Sequence, residues 1–121
     1  AEIFRYANVI IPQKTNNVVL DIARYIKLNF NTNITLQSLS NIFGYTPNYL
    51  SSQFHKNMGK TIKQFLSDVR LEHAAKTLLT STDSVTDVCF ASGFTSLAHF
   101  LRVFKSKYKQ SPGSYRKNIN H

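Results

Sequence analysis

One pattern occurs twice in this chain, and it limits the possible fold more than any other feature. Residues 93–105 read Gly-Phe-Thr-Ser-Leu-Ala-His-Phe-Leu-Arg-Val-Phe-Lys, and residues 44–56 read Gly-Tyr-Thr-Pro-Asn-Tyr-Leu-Ser-Ser-Gln-Phe-His-Lys. Each copy opens on a glycine, which enters the left-handed backbone of a tight turn without steric cost. Each then carries apolar residues at helical spacing along one face only. The match extends upstream, where Leu36, Leu39, Gly44 and Tyr45 correspond to Val85, Val88, Gly93 and Phe94. After the turn the offset grows by one residue, so that Tyr49, Leu50 and Phe54 correspond to His99, Phe100 and Phe104. A period of about fifty residues that keeps both glycine and apolar positions is an internal repeat. Each unit reads as helix, tight turn, helix.

The segments between the repeats read as further helices. From Val18 the apolar positions Val18/Val19, Ile22, Tyr25/Ile26 and Phe30 follow a helical period, with Asn17 as a candidate cap. A second helix follows Thr35 and stops at Gly44, and Pro47 suits the first turn of the third, which Gly59 closes. Thr61 caps a long helix to about Leu79, whose apolar face is Ile62, Phe65/Leu66, Val69, Ala74/Ala75 and Leu78/Leu79. At ~1.5 Å per residue this rod is about 28 Å long. Residues 81–84, Ser-Thr-Asp-Ser, form a polar break with capping residues, and Ser111-Pro112 opens a short last helix. Residues 1–17 show no helical period: Val9-Ile10-Ile11 is a short apolar run closed by Pro12, read as a tail or linker. The expected organisation is a tail over 1–17, a first subdomain over 18–60, a linker helix over 61–79 and a second subdomain over 80–121.

The charge narrows the class of partner. The 121 residues hold 15 Lys+Arg against 6 Asp+Glu, a net charge of +9, which in so small a domain favours a polyanion. After Asp87 there is no acidic residue, whereas Arg102, Lys105, Lys107, Lys109, Arg116 and Lys117 follow, so that end is expected against phosphate. The hydrophobic content of 42% suffices for a packed core. No apolar run reaches membrane-spanning length and no signal-peptide pattern is present, so no membrane is expected and a cytoplasmic location fits. The single cysteine, Cys89 between Val88 and Phe90, reads as a small buried apolar group.

A helix-turn-helix places its second helix in the major groove of DNA, which demands one apolar stripe and one stripe able to reach base edges. In the first copy Leu50 and Phe54 point inward and leave Asn48, Ser51, Ser52 and His55 outward. In the second, Phe100, Val103 and Phe104 point inward and leave Leu97, Ala98, Leu101, Arg102 and Lys105 outward. Leu97, Ala98 and Leu101 either widen the core contact or meet the methyl groups of thymine. Arg102 is the first candidate for base readout, since a guanidinium bonds guanine O6 and N7 together; its other roles are a phosphate clamp or a surface charge. Asn48, Ser51 and Ser52 either bond bases and phosphates or form a solvated face. The helix starts near Thr35 and Ser84 present N–H groups of the kind that hold phosphate.

Other chemistry finds little support. His55, His73, His99 and His121 are scattered without ligand spacing, so neither a zinc site nor any other metal or cofactor is expected. Asp68 and Glu72 are expected near Arg70, Lys76 or solvent rather than as a catalytic pair. With no phosphate loop and no nucleophile motif, an enzyme is not expected. A basic module that docks an acidic protein or an anionic membrane has no use for two paired readers.

The residues Val85-x-Asp87-Val88-Cys89, Gly93-Phe94-x-Ser96, His99-Phe100-x-Arg102-x-Phe104-Lys105 and Ser111-Pro112-x-x-Tyr115-Arg116 resemble the signature of the AraC/XylS (arabinose-regulator) family. The first unit does so through residues 49–56, Gly59, Phe65-Leu66, Arg70, Ala74 and Leu78-Leu79, and the likeness covers roughly 18–117. The resemblance implies an all-α fold of about seven helices, in two helix-turn-helix subdomains joined by a long linker helix. It implies recognition helices in successive major grooves of double-stranded DNA, and bacterial transcription control, usually activation through RNA polymerase. The ~28 Å rod is of the order of one DNA turn, about 34 Å. The family's groove positions fall on Asn48, Ser51, Ser52 and His55 and on Leu97, Ala98, Leu101, Arg102 and Lys105, with Thr46, Lys56, Thr95 and Ser96 completing the DNA-contact set. Ser52 stands where the family often has Arg, Ala98 replaces a polar residue, His99 replaces a Tyr, and Lys109 stands where Gly is frequent, which unsettles that turn. Most members also carry an N-terminal effector-binding or dimerising domain. The chain starts at Ala1 and 121 residues leave no room for one, so a DNA-binding fragment or a stand-alone member is expected.

Overall fold

An Asn, Ser or Thr stands ahead of every described helix and accepts from the backbone N–H three residues on. In the computed structural model, which describes residues 3–6 and 9–119, the helices are α1 (Val18–Asn29), α2 (Leu36–Phe43), α3 (Pro47–Met58), α4 (Ile62–Thr80), α5 (Val85–Ala91), α6 (Leu97–Tyr108) and α7 (Pro112–Ile119). Their caps are Asn17, Thr35, Thr46, Thr61, Ser84, Ser96 and Ser111. Thr35 and Ser38 form a reciprocal box, each side chain accepting from the other's N–H at 3.0 Å, and Thr61 and Gln64 form another. Each such cap is worth about 1 kcal/mol, because it satisfies an N–H with no partner inside the helix.

The chain divides into two compact units, 1–69 and 70–121, and the division falls inside α4. The segment expected as a separate linker over 61–79 therefore supplies both cores. Leu66 is buried in the first, with Ile62, Phe65 and Val69 packed beside it; Leu71, Ala74, Ala75 and Leu78 are buried in the second. In the first unit Ile22, Ile26, Leu39, Leu50 and Phe54 have no exposed surface. Edge-to-face rings tie its helices together: Tyr25 on Phe43 at 5.9 Å and Phe54 on Phe65 at 5.4 Å between centroids. The second core is a run of rings, with Phe94–Phe100 at 5.0 Å, Phe100–Phe104 at 5.6 Å and Phe104–Tyr115 at 5.4 Å. Cys89 is fully buried in it, as its apolar neighbours imply, and burial raises the pKa of its thiol.

The stretch expected as a tail or linker, 1–17, holds two strands. β1 (Ile3–Tyr6) pairs antiparallel with β2 (Val9–Pro12), in the register Phe4 to Ile11. Val9 and Ile11 pack against the first core, and Pro12 is buried. The buried Asn29 amide accepts from the Ile10 N–H and donates to the Ile10 carbonyl, so a side chain of α1 takes the place of a further strand. Residues 13–17 then lead into α1, where Thr15 donates from both its N–H and its hydroxyl to the buried Asp21 carboxylate.

Two left-handed residues make the inter-helix turns of the repeat: Gly44 at φ 78° and Gly93 at φ 99°. Downstream, the equivalent positions Gly59 and Lys109 end α3 and α6, at φ 73° and φ 64°. The backbone N–H of Lys109 donates to the Lys105 carbonyl at 2.8 Å, so the turn keeps its usual form although its residue is not glycine. A side chain with a Cβ is strained in that region. Lys109→Gly is therefore expected to raise stability by about 1 kcal/mol, and Lys109→Val to lower it, as read from denaturant midpoints.

His73 on α4 lies with Nδ1 3.0 Å from the hydroxyl of the fully buried Ser92, which ends α5. Burial, reinforced by the charge of Lys76, lowers the imidazole pKa below its ordinary value. The fold thus favours neutral His73. Its contribution to stability is complete above the ordinary histidine pKa of about 6.5 and is lost as pH falls from there through the lower folded-state value. Unfolding midpoints are expected to fall between about pH 7 and pH 5, and His73→Gln is expected to flatten that fall.

Candidate nucleic-acid interface

The second helix of each repeat is fixed by two side chains without exposed surface. Leu50 and Phe54 seat α3; Phe100 and Phe104 seat α6. A helix anchored at positions four apart turns the rest of its circumference outward. On α3 this exposes Asn48, Ser51, Ser52, His55 and Lys56, with the Thr46 cap at its start. On α6 it exposes Ala98, Leu101, Arg102 and Lys105, with Thr95 and the Ser96 cap ahead. Leu97 does not join that face: it is half-buried and packs against the second core beside Val103. Its place in the first turn of α6 tilts it back over the turn before, where the core lies. Of the three apolar residues at issue, Ala98 and the 39% exposed Leu101 remain outward.

The two faces differ in chemistry. The first turns of α3 offer neutral donors and acceptors, and its basic residues, His55 and Lys56, sit in the last turn. That placement favours the negative end of the helix dipole. α6 carries its guanidinium mid-helix, with Lys105 and Lys107 in the last turn. Arg102 Nη2 donates to His99 Nδ1 at 2.8 Å, which holds one edge of the guanidinium against a neighbour one turn back. The remaining N–H groups keep the planar fork that suits guanine or phosphate.

Not every cation after Asp87 belongs to this surface. Arg116, expected against phosphate, is half-buried and donates from Nε to the Leu78 carbonyl at 2.8 Å and from Nη2 to the Ser81 carbonyl at 3.3 Å. It satisfies carbonyls at the end of α4 that have no helical partner. Lys107 Nζ lies 3.6 Å from Glu72 and 5.6 Å from the centre of the Tyr108 ring. Lys105, Lys109 and Lys117 are exposed. Asp68, for its part, pairs with Lys60 at 2.8 Å, so Asp68 and Glu72 lie beside different lysines, and the Glu72 side chain stays largely in solvent. Among the described residues no three His, Cys, Asp or Glu side chains gather at one place. No described helix is long and apolar enough to cross a membrane.

Sequence reasoning missed two residues on the first reader. Tyr45, matched to the buried Phe94, and Tyr49, matched to the exposed His99, are half-exposed and stacked on each other. Their spacing of four across the Pro47 helix start was the available signal.

A family model described as a helix-turn-helix domain matches residues 39–118. An uncharacterized HTH-type transcriptional regulator of Staphylococcus aureus is 35% identical over 98 residues, which cover 81% of this chain and 13% of that protein. Among solved structures, the C-terminal domain of AraT, a response regulator from Geobacillus stearothermophilus, superposes with a TM-score of 0.81 at 25% identity, over 88% of each chain. A probable AraC family transcriptional regulator from Rhodopseudomonas palustris gives 0.79 at 26% identity, over 85% of this chain and 97% of that one. With both left-handed turns and the helices that follow them inside the matched span, the chain belongs to the AraC-type helix-turn-helix family.

Proposed function

We propose that the chain is a sequence-specific double-stranded DNA-binding unit of a bacterial transcription regulator, an activator that contacts RNA polymerase and works on the DNA of the cytoplasm. The observation that carries this reading is the repeated exposed helix face, Asn48, Ser51, Ser52 and His55 on α3 and Ala98, Leu101, Arg102 and Lys105 on α6, in a chain of net charge +9. The family and the names of its relatives, transcriptional regulators, support it. In this reading α3 and α6 enter successive major grooves. Arg102 reads guanine, Ala98 and Leu101 meet thymine methyls, and Asn48, Ser51 and Ser52 bond base edges or phosphates. Thr46, Thr95, Ser96 and Lys56 border the two helices and hold backbone phosphates.

Gel-shift titration of the chain on a duplex selected from a random pool tests this. Affinity is expected to fall steeply with salt, because bound lysines and arginines release counterions. Arg102→Ala is expected to cost about 1–3 kcal/mol and to relax preference at one base pair. Binding that stays flat from low to moderate salt excludes DNA as the partner, and equal losses on all sequences reassign Arg102 to phosphate.

A further inference from the structure

Tyr45 and Tyr49 form a surface that the groove-facing residues do not account for. Their ring centroids lie 5.1 Å apart with planes 21° apart, and the residues are 46% and 44% exposed. The backbone under both is fixed: Ser40 donates its hydroxyl to the Tyr45 carbonyl, and the Tyr49 N–H donates to Thr46 Oγ1 at 3.2 Å. Neither phenol hydroxyl has a hydrogen-bond partner among the described residues. The second repeat keeps a ring pair at these positions, Phe94 and His99 at 6.2 Å, but without hydroxyls: Phe94, the counterpart of Tyr45, is buried, and His99, the counterpart of Tyr49, accepts from Arg102. Ser52 stands at the position of Arg102, so the first reader lacks the cation that the second holds in place.

Resting on the DNA-binding reading, we infer that the Tyr45–Tyr49 stack is a contact of the first reader with the sugar–phosphate backbone of the duplex. The two hydroxyls donate to phosphate oxygens and the ring edges lie on deoxyribose. Tyrosine is among the side chains that position proteins on phosphate. It offers a large, rigid, amphipathic surface at small entropic cost, and stacking removes part of that cost in advance. A phenol carries no charge. The contact therefore adds affinity without releasing a counterion and leaves the salt slope unchanged, unlike a lysine or arginine at the same place.

The test uses the 121-residue chain and its Tyr45→Phe/Tyr49→Phe variant. These substitutions keep both rings and remove only the hydroxyls. Each protein is titrated, at several salt concentrations, with a duplex selected from a random pool by the unsubstituted chain and with a random-sequence duplex of equal length. The expected result is a loss of about 3- to 10-fold per hydroxyl, equal on the two duplexes, with the same salt slope and the same thermal midpoint. Unchanged affinity overturns the inference. So does a loss confined to the selected duplex, which marks base readout. A shifted salt slope or a lowered midpoint overturns it as well, the latter assigning the hydroxyls to the fold. If the unsubstituted chain itself shows no salt-dependent binding to either duplex, it is the DNA-binding reading that fails.

Discussion

Burial of two side chains per reader helix is the interaction on which the exposed surface depends. Leu50 with Phe54, and Phe100 with Phe104, have no surface left to solvent. Removing one such side chain from water contributes about 1.5–3 kcal/mol, so each pair outweighs any hydrogen bond on the outer face of its helix. The rotation of α3 and α6 about their axes is therefore set from the inside. The outer residues have no vote in it, which leaves them free to differ between the copies, as Ser52 and Arg102 do at one position. Turn chemistry has the same independence: Gly44 and Gly93 admit the sharp reversal, while Thr46 and Ser96 define where the second helix begins.

The repeat shows what this scaffold requires and what it tolerates. Glycine or apolar identity persists where backbone sign or burial demands it. Elsewhere the copies part. Gly59 and Lys109 occupy the same left-handed position, and each donates its N–H to the carbonyl four residues back, His55 and Lys105. Tyr49 and His99 share a position, and each lies beside the ring that precedes its helix, Tyr45 at 5.1 Å and Phe94 at 6.2 Å between centroids, but His99 also holds an arginine one turn on. The two helices thus present different chemistry on the same kind of support.

Most of the helical architecture was legible because its determinants are local. Asn17, Thr35, Pro47, Gly59, Thr61 and Ser84 act within a few residues of themselves, and the structure places each where its chemistry suits it. What escaped the sequence depends on distant partners. The strand character of Val9–Pro12 rests on a buried Asn29 that lies 19 residues beyond Ile10. The inward lean of Leu97 follows from its place in the first turn of α6, not from hydropathy. Tyr45 was matched by the repeat to Phe94, which is buried, and the structure leaves Tyr45 half in solvent beside Tyr49.

The same distinction bears on charge. A net charge of +9 says that a polyanion is favoured, but not which cations face it. Arg116 and Lys107 illustrate the difference: the first is held by carbonyls at the end of α4, the second lies beside Glu72 and the Tyr108 ring. Loss of Arg116 would leave carbonyls at a helix end without a partner and so weaken the fold, and any loss of affinity that followed would be indirect. Arg102 is the contrary case. It is exposed, its neighbour His99 orients it without neutralising it, and no core residue depends on it. A guanidinium so placed can be removed without cost to the fold, which separates an exposed cation from a structural one more clearly than charge does.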